Sequence, residues 1–470
     1  MICVNGHVRI EIIIVIIFFC FMLTDSVFTN FIIYRTCYVS MGYNQTECAL
    51  LGSKNKDAQT AKLEELVEPK AAVINMTRSF TENCITALFC LFVGPWSDKF
   101  GRKPLILSPL LGYTLGFLAL VVISLFPNAS PWYFVISSLP VCMTGGVPTF
   151  ITGVLSHITD VTTPANRGMR MGIFEAMIGI GIFLGNICSS YAFYALGYTA
   201  VFGIATSCCC LSLLMSYFFV PETLENKETE GYFRGFFNAS NIVDMFKSTF
   251  KRRENFDRAI ILLSILLLTI YIFLINGDGS VVFLYLREKF QWTLEHYTLF
   301  NSAGNTVWIL GTIFGIYFLH KLLNITESVL ILVGFLSMCN GHLIAGFATQ
   351  DWHIYMASAV KCLGGVLSPM TRSLVSKLVP AEEIGKIFGM IITSESLFGI
   401  LGSPIYTLIY NSTIKKDPSI FCFVTAGIYL FEVIITMIII ILQLRRLRHN
   451  YNRLNNEEVN GDIATSSGNT

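Results

Sequence analysis

Twelve apolar runs, most of them twenty residues or longer, take up most of this 470-residue chain. They restrict the fold severely, because about 20 mostly apolar residues are what a helix needs to cross a bilayer. They cover Ile10–Tyr34, Ala72–Val93, Pro104–Phe126, Trp132–His157, Met171–Tyr194, Ala200–Val220, Ala259–Leu284, Leu299–Leu319, Ser328–Phe347, His353–Ser373, Ile387–Tyr410 and Phe421–Leu442. With no water to satisfy backbone N–H and C=O groups, such runs must be α-helices. Composition agrees: 53% of residues are apolar and only 13% charged, about half the share of a soluble domain. A net charge of +1 implies no nucleic-acid or strongly anionic partner. The first run, with His7 and Arg9 before it, also has the outline of a signal peptide. Its length, the internal Glu11 and Asp25, and the lack of a small-residue cleavage site fit a retained helix better.

The basic residues set the expected orientation. Lys99, Arg102, Lys103, Arg167, Arg170, Lys247, Lys251–Arg253, Arg258, Lys377, Lys386 and Arg445–Arg448 follow the even-numbered runs, which puts both termini in the cytoplasm. The sequons at Asn44, Asn75, Asn128 and Asn411 then fall outside and are expected to carry glycans. Those at Asn238 and Asn324 fall inside and stay bare. Six runs fill an N-terminal half over residues 1–220 and six a C-terminal half over 258–443. Between them, 221–257 reads as a cytoplasmic linker with an amphipathic piece near Ile242–Phe250, and 444–470 as a polar, disordered tail. Tyr451–Leu454 matches a sorting tetrapeptide, a pattern short enough to arise by chance. Cys37 and Cys48 share the first outer loop and are placed to pair. The triplet Cys208–Cys210 reads as helix packing.

The loop Gly94-Pro-Trp-Ser-Asp-Lys-Phe-Gly-Arg-Lys-Pro104 fits the pattern G-x-x-S/A-D-x-x-G-R-R/K. Gly94 allows close approach of a neighbouring helix, Gly101 a tight turn, and Asp98 and Arg102 a charge pair at the membrane edge. The plainer reading is an ordinary basic loop that contains an Asp. Two more stretches, Ser156–Asp160 leading into Asn166–Glu175 and Met370–Val379 followed by Glu382–Phe388, accompany it. Together they resemble the major facilitator superfamily and, within it, solute carrier family 46, which holds the proton-coupled folate transporter and its lysosomal relatives. The resemblance implies an all-α membrane protein of twelve transmembrane helices in two six-helix halves. It further implies a secondary active transporter, expected to couple protons to symport of an organic anion, folate-like or related. An exporter of small catabolites or signalling molecules from lysosomes is the second reading, and a non-transporting receptor or scaffold the third. Partners are then an organic anion, protons and the bilayer. There is no P-loop, no zinc-ligand spacing among the seven histidines and no nucleophile–base pair, so neither an enzyme nor a cofactor is expected.

Charges inside apolar runs are costly, which makes them functional candidates. Gly172, Glu175, Gly179 and Asn186 share one helical face. Burial favours the uncharged carboxyl and a nearby cation the charged one, the opposition a proton-exchanging group requires. The resemblance implies proton coupling at Glu175, against a structural ion pair with Arg170 or Arg372. Lys361, Gly365, Ser368, Arg372 and Ser376 make a second polar stripe with two cations on one face. Arg372 offers bidentate bonds to a substrate carboxylate, or else snorkels to the membrane edge; Lys361 stands open between helper and bystander. Glu395 faces the cavity side with Gly399 and Gly402 and is a further substrate-binding candidate. Arg78 and Glu82 are placed to satisfy each other, Glu432 reads as structural, Asp25 and Glu11 share a face of the first run, and His342 reads as a packed, satisfied side chain. Gly94, Asp98, Gly101, Arg102 and Asp160 compose the expected cytoplasmic gate. The chain departs from the family at Glu11-Ile12, where Glu-Pro is usual, at Ile275 in place of a His in run seven, and near Gln291, where a loop Cys is missing.

Overall fold

The computed structural model describes all residues except 1–2, 5–6, 9, 52–57, 165, 225–235, 237–238, 254, 293, 414–415 and 468–470. The Asn238 sequon lies outside the described residues. Two-residue strands, β1 (Cys3–Val4) and β2 (His7–Val8), pair antiparallel ahead of the first helix; the rest of the described residues are helix and connection. The N-terminal half holds α1 (Ile10–Arg35), α2 (Gln45–Ala49), α3 (Ala58–Phe100), α4 (Lys103–Leu125), α5 (Tyr133–Ser137), α6 (Leu139–Met143), α7 (Gly146–Val161) and α8 (Arg167–Phe219). After the short α9 (Ala239–Phe250) come α10 (Asp257–Phe290), α11 (Leu294–Ile313), α12 (Glu327–Gly346), α13 (Asp351–Val360), α14 (Leu367–Leu378), α15 (Ile384–Thr413) and α16 (Ile420–Ser467).

Among the described residues, ten helical stretches are long and apolar enough to cross a membrane. The helices over runs two and ten are not among them. Run two carries Arg78, Glu82 and Asn83 inside helix α3. Run ten is broken by a 3₁₀ turn at Lys361–Val366 between α13 and α14. A 3₁₀ turn winds three residues per turn rather than 3.6, so the expected single polar stripe from Lys361 to Ser376 does not form. Lys361 faces a cavity within the C-terminal half, and Arg372 faces Glu395. Packing explains the break: a Cβ on Gly364 would collide with Trp308, and one on Gly365 with Thr312. Run four is likewise three pieces rather than one helix, and its second break, between α6 and α7, falls where Gly145 and Gly146 take positive φ of 77° and 51°, a conformation glycine adopts without penalty. Runs five and six lie within the single stretch α8, where Gly197, with the non-helical φ of 77° and ψ of 179°, divides one helix from the next. The tail past Arg448 keeps a helical backbone to Ser467 where disorder was expected; extending a formed helix requires no new nucleus.

The halves meet where α3 packs on α15, α7 on α15, and α8 on α11 and α14. A Cβ on Gly94 would sit 3.0 Å from Gly389 Cα and against the Gly385 carbonyl, so α3 and α15 touch backbone to backbone there. Linker helix α9 packs across α3 and α15 at the same end. At the opposite end Cys37 and Cys48 are joined as a disulfide, with Cα atoms 5.8 Å apart.

Candidate functional site: a gate and a buried charge cluster

Gly101, at φ 117°, ends α3 and turns the chain into α4, which swings Arg102 back beneath the loop. Its side chain is fully buried, pairing with Asp98 at 2.5 Å and Asp160 at 3.2 Å and donating to Ser97 Oγ at 2.8 Å. Asp98 in turn crosses to the other half. Its carboxylate accepts from the backbone N–H groups of Gly385 (3.0 Å) and Lys386 (2.9 Å), the first turn of α15, where unpaired donors and the helix dipole favour an anion. Arg102 also reaches the Ala381 carbonyl at 3.4 Å. The five residues expected at the gate are therefore brought together.

Sequence reasoning missed Glu222, which accepts from Arg102 N at 2.8 Å and Lys103 N at 3.2 Å. It also missed Thr223, whose hydroxyl donates to Asp160 at 2.9 Å. These lie just past run six, where an acid after Val220-Pro221 gave only a weak signal. Arg167 donates to the Ser376 carbonyl at 2.5 Å, adding a further bond between halves at this end. A C-terminal counterpart, also unforeseen, joins Glu327 to Lys377, with Ser373 Oγ at 3.5 Å and His320 Nε2 at 3.8 Å.

Midway along the interface lies the second constellation. Arg372 Nη2 donates to both oxygens of Glu395, at 2.6 and 2.7 Å, and both residues are buried. Glu175, across the interface on α8, accepts from Ser368 Oγ at 2.8 Å and lies within the electrostatic reach of Arg372. Its other expected partner, Arg170, is instead paired with Glu11. Thus α8, α14 and α15 assemble a carboxylate–guanidinium–carboxylate row. Arg372 Nε is buried with no partner among the described residues, a donor still unused.

Beside Glu175 a cavity of about 350 Å³ opens between α8 and α11, lined by Gly179, Asn186, Ser302, Asn305 and Trp308. Along the α8 face exposure grows from half-buried Glu175 to exposed Phe183 and Asn186, away from the gate. A neighbouring cavity of about 320 Å³ within the C-terminal half shares Asn305 and Trp308 and contains Asp278, His342 and Lys361. In the N-terminal half, Arg78 and Glu82 pair at 3.2 Å beside Asp25 in a pocket of about 230 Å³. Glu432 is fully buried, and neither carboxyl oxygen has a partner among the described residues.

Of the sequons, Asn44, Asn128 and Asn411 are exposed, whereas Asn75 is half-buried within α3, because that helix begins fourteen residues before the apolar run. Asn324 is exposed near the gate end.

Comparison with known proteins places this geometry. The major facilitator superfamily model matches residues 73–403. A Drosophila melanogaster protein described as a probable peptidoglycan muropeptide transporter of solute carrier family 46 is 31% identical over 436 residues, spanning 88% of this chain and 82% of that one. The chain belongs to the major facilitator superfamily, in solute carrier family 46. A Gallus gallus lysosomal proton-coupled steroid conjugate and bile acid symporter of this family is 24% identical, covering 86% of this chain and 88% of that protein. The human organic anion transporter MFSD10 has the same fold, with a TM-score of 0.66 at 14% identity over 91% of this chain and 99% of that one. As a solute carrier family 46 member this chain is a multi-pass membrane transporter of small molecules, not an enzyme. Its two layers of charge, one at the end of the interface and one in its middle, have distinct jobs open to them.

Proposed function

We infer that the protein is a secondary active symporter that moves an organic anion with protons, through twelve spans divided into halves over 1–220 and 258–443. The observation that carries the reading is the Glu175–Arg372–Glu395 row at the meeting of the halves, beside a cavity whose α8 wall grows more exposed away from the gate. Glu175 takes the proton: its carboxyl is held by a single Ser368 hydroxyl and faces the cavity. Arg372 is the anion's anchor, released from Glu395 when substrate arrives, and Lys361 lies one compartment further in. The organic, anionic character of the substrate is supported by relatives described as carrying bile acids, steroid conjugates and muropeptides. Both termini face the cytoplasm, in the plasma membrane or the membrane of lysosomes and endosomes. Asn44, Asn75, Asn128 and Asn411 are then on the outer or lumenal side.

Uptake of labelled bile-acid conjugates and peptidoglycan fragments at pH 5.5 against pH 7.4, in cells with the protein routed to the surface, tests the reading. Faster accumulation at the acid pH supports it, and uptake indifferent to pH removes the protons from the mechanism. Immunolocalisation of the tagged chain distinguishes the two membranes.

The gate carries its own expectation. Asp98→Asn takes away one of the two acceptors that hold the start of α15, and Arg102→Ala removes the bond to the Ala381 carbonyl and the cation that fixes Asp98, so the halves separate more readily at that end and the inward-facing state gains. Cysteines placed near Asn186 then lose labelling by an impermeant maleimide while the protein stays in the membrane. Unchanged labelling in both variants would show that the gate does not set the balance.

A further inference from the structure

Deep in the C-terminal half, His342 on α12 and Asp278 on α10 face each other at 3.5 Å, Nε2 to Oδ1. His342 is 2% exposed. Its other ring nitrogen, Nδ1, lies 2.8 Å from the Met338 carbonyl. A carbonyl only accepts, so Nδ1 carries the hydrogen, and a neutral His342 turns the lone pair of Nε2 toward the carboxylate. Two acceptors then confront each other with no donor between them, and both atoms are without a hydrogen-bond partner among the described residues. Such a pair is completed either by a proton on the ring or by a donor group from elsewhere.

The same cavity supplies the opposite charge. Lys361, at the start of the 3₁₀ turn, lines it and makes no ion pair among the described residues, although it lies within electrostatic reach of Asp278. Trp308, Tyr297 and Phe300 wall it with rings, and Asn301 and Asn305 add amides. A carboxylate and an ammonium that share a cavity without neutralising each other are complementary to a ligand bearing both charges.

The geometry points to a binding site for an amino-acid or short-peptide head group: the ligand's ammonium donates to Asp278 and His342, and its carboxylate meets Lys361. The site rests on the transport reading only for the ligand's route in, since binding itself needs no proton gradient. One consequence is built into the pair. A proton on His342 does what the ligand's ammonium does, so the two exclude each other. Protonated, the cluster of Asp278, His342 and Lys361 carries one net positive charge and prefers a purely anionic ligand; deprotonated, it is neutral overall and accepts the zwitterion. Among the described residues, the other ionisable groups that feel the charge of Asp278 are Tyr297 on α11, Tyr406 on α15, and Cys422 and Tyr429 on α16. Phenols and thiols ordinarily stay uncharged between about pH 5 and 8, the window in which an imidazole changes charge. Glu432, a turn beyond Tyr429, is not part of the cavity lining.

The test is direct binding to the purified full-length protein by calorimetry, using alanylphenylalanine, its N-acetyl derivative and its C-terminal amide. At pH 8 the free dipeptide is expected to bind at least about tenfold more tightly than either derivative. On moving to pH 5.5 the free dipeptide weakens and the N-acetyl form strengthens. Asp278→Asn abolishes the preference over the N-acetyl form alone, and Lys361→Met the preference over the amide alone, so each variant keeps one preference as proof that it is folded. Equal affinity of the free and acetylated dipeptides at pH 8, or no binding of any of the three tighter than about 10 mM, overturns the proposal. A protein that binds as described but moves none of them across a membrane leaves the site standing and shows that its occupant is not the transported solute.

Discussion

Replacing Glu175 with Gln is expected to abolish uphill uptake while leaving exchange of substrate across the membrane within about threefold of wild type. A glutamine fills the same space and still reaches the Ser368 hydroxyl, so the row of side chains at the interface is kept and only the exchangeable proton is lost. The effect is large because the proton is the fuel: one pH unit across the membrane is worth about 1.4 kcal/mol per proton, roughly a tenfold concentration ratio. Vesicles loaded with substrate and given an inward acid gradient separate the two readouts. If Glu175→Gln still concentrates substrate with a normal pH profile, coupling belongs elsewhere, and Glu395, Asp278 and Asp25 become the groups to examine. Glu175→Asp is expected to retain part of the activity, since the acid remains but falls short of Ser368.

The second large effect concerns Arg372. Glu395→Gln leaves a buried guanidinium without its bidentate partner, and removing one member of a buried ion pair costs about 3–5 kcal/mol. The protein should therefore be expressed poorly. Removing both members, with Arg372→Met and Glu395→Leu, should restore expression, because an apolar pair of similar volume is often no worse than the ions it replaces. Transport should stay absent in the double variant. Recovered transport would show that the pair is structural only. Arg372→Lys is the milder version: the charge stays but the planar fork is lost, and apparent affinity for a carboxylate substrate falls by about 1–3 kcal/mol.

The helices were legible in the sequence because the bilayer demands a continuous apolar run, a requirement visible in the residues themselves. Their interruptions were less so. Gly145-Gly146 and Gly364-Gly365 break runs four and ten, yet paired glycines in a membrane helix read equally well as close packing; only Trp308, Thr312 and Phe89 standing against them decide the matter. The gate was readable because four of its residues, Gly94, Asp98, Gly101 and Arg102, follow a fixed spacing in one loop. Its outside members, Glu222 and the backbone of Gly385 and Lys386, come from distant parts of the chain. The same limit hid the interface row. Arg372 and Glu395 were each marked as costly charges, but which carboxylate faces which cation depends on how α14 and α15 pack. His342 was misread for the opposite reason: one satisfied nitrogen says nothing about the other.

The burial of Arg102 has a consequence for how the cycle responds to its surroundings. Counterions weaken attraction between charges that water can reach, within a Debye length of about 8 Å at physiological salt. No part of the Arg102 side chain is exposed, and only 3% of the Asp98 side chain is, so dissolved ions have no access to the pair. Raising ionic strength from dilute buffer to seawater levels should leave the opening rate at the gate unchanged. Any salt dependence of turnover then reports on the mouth of the cavity, where a charged substrate first meets the protein.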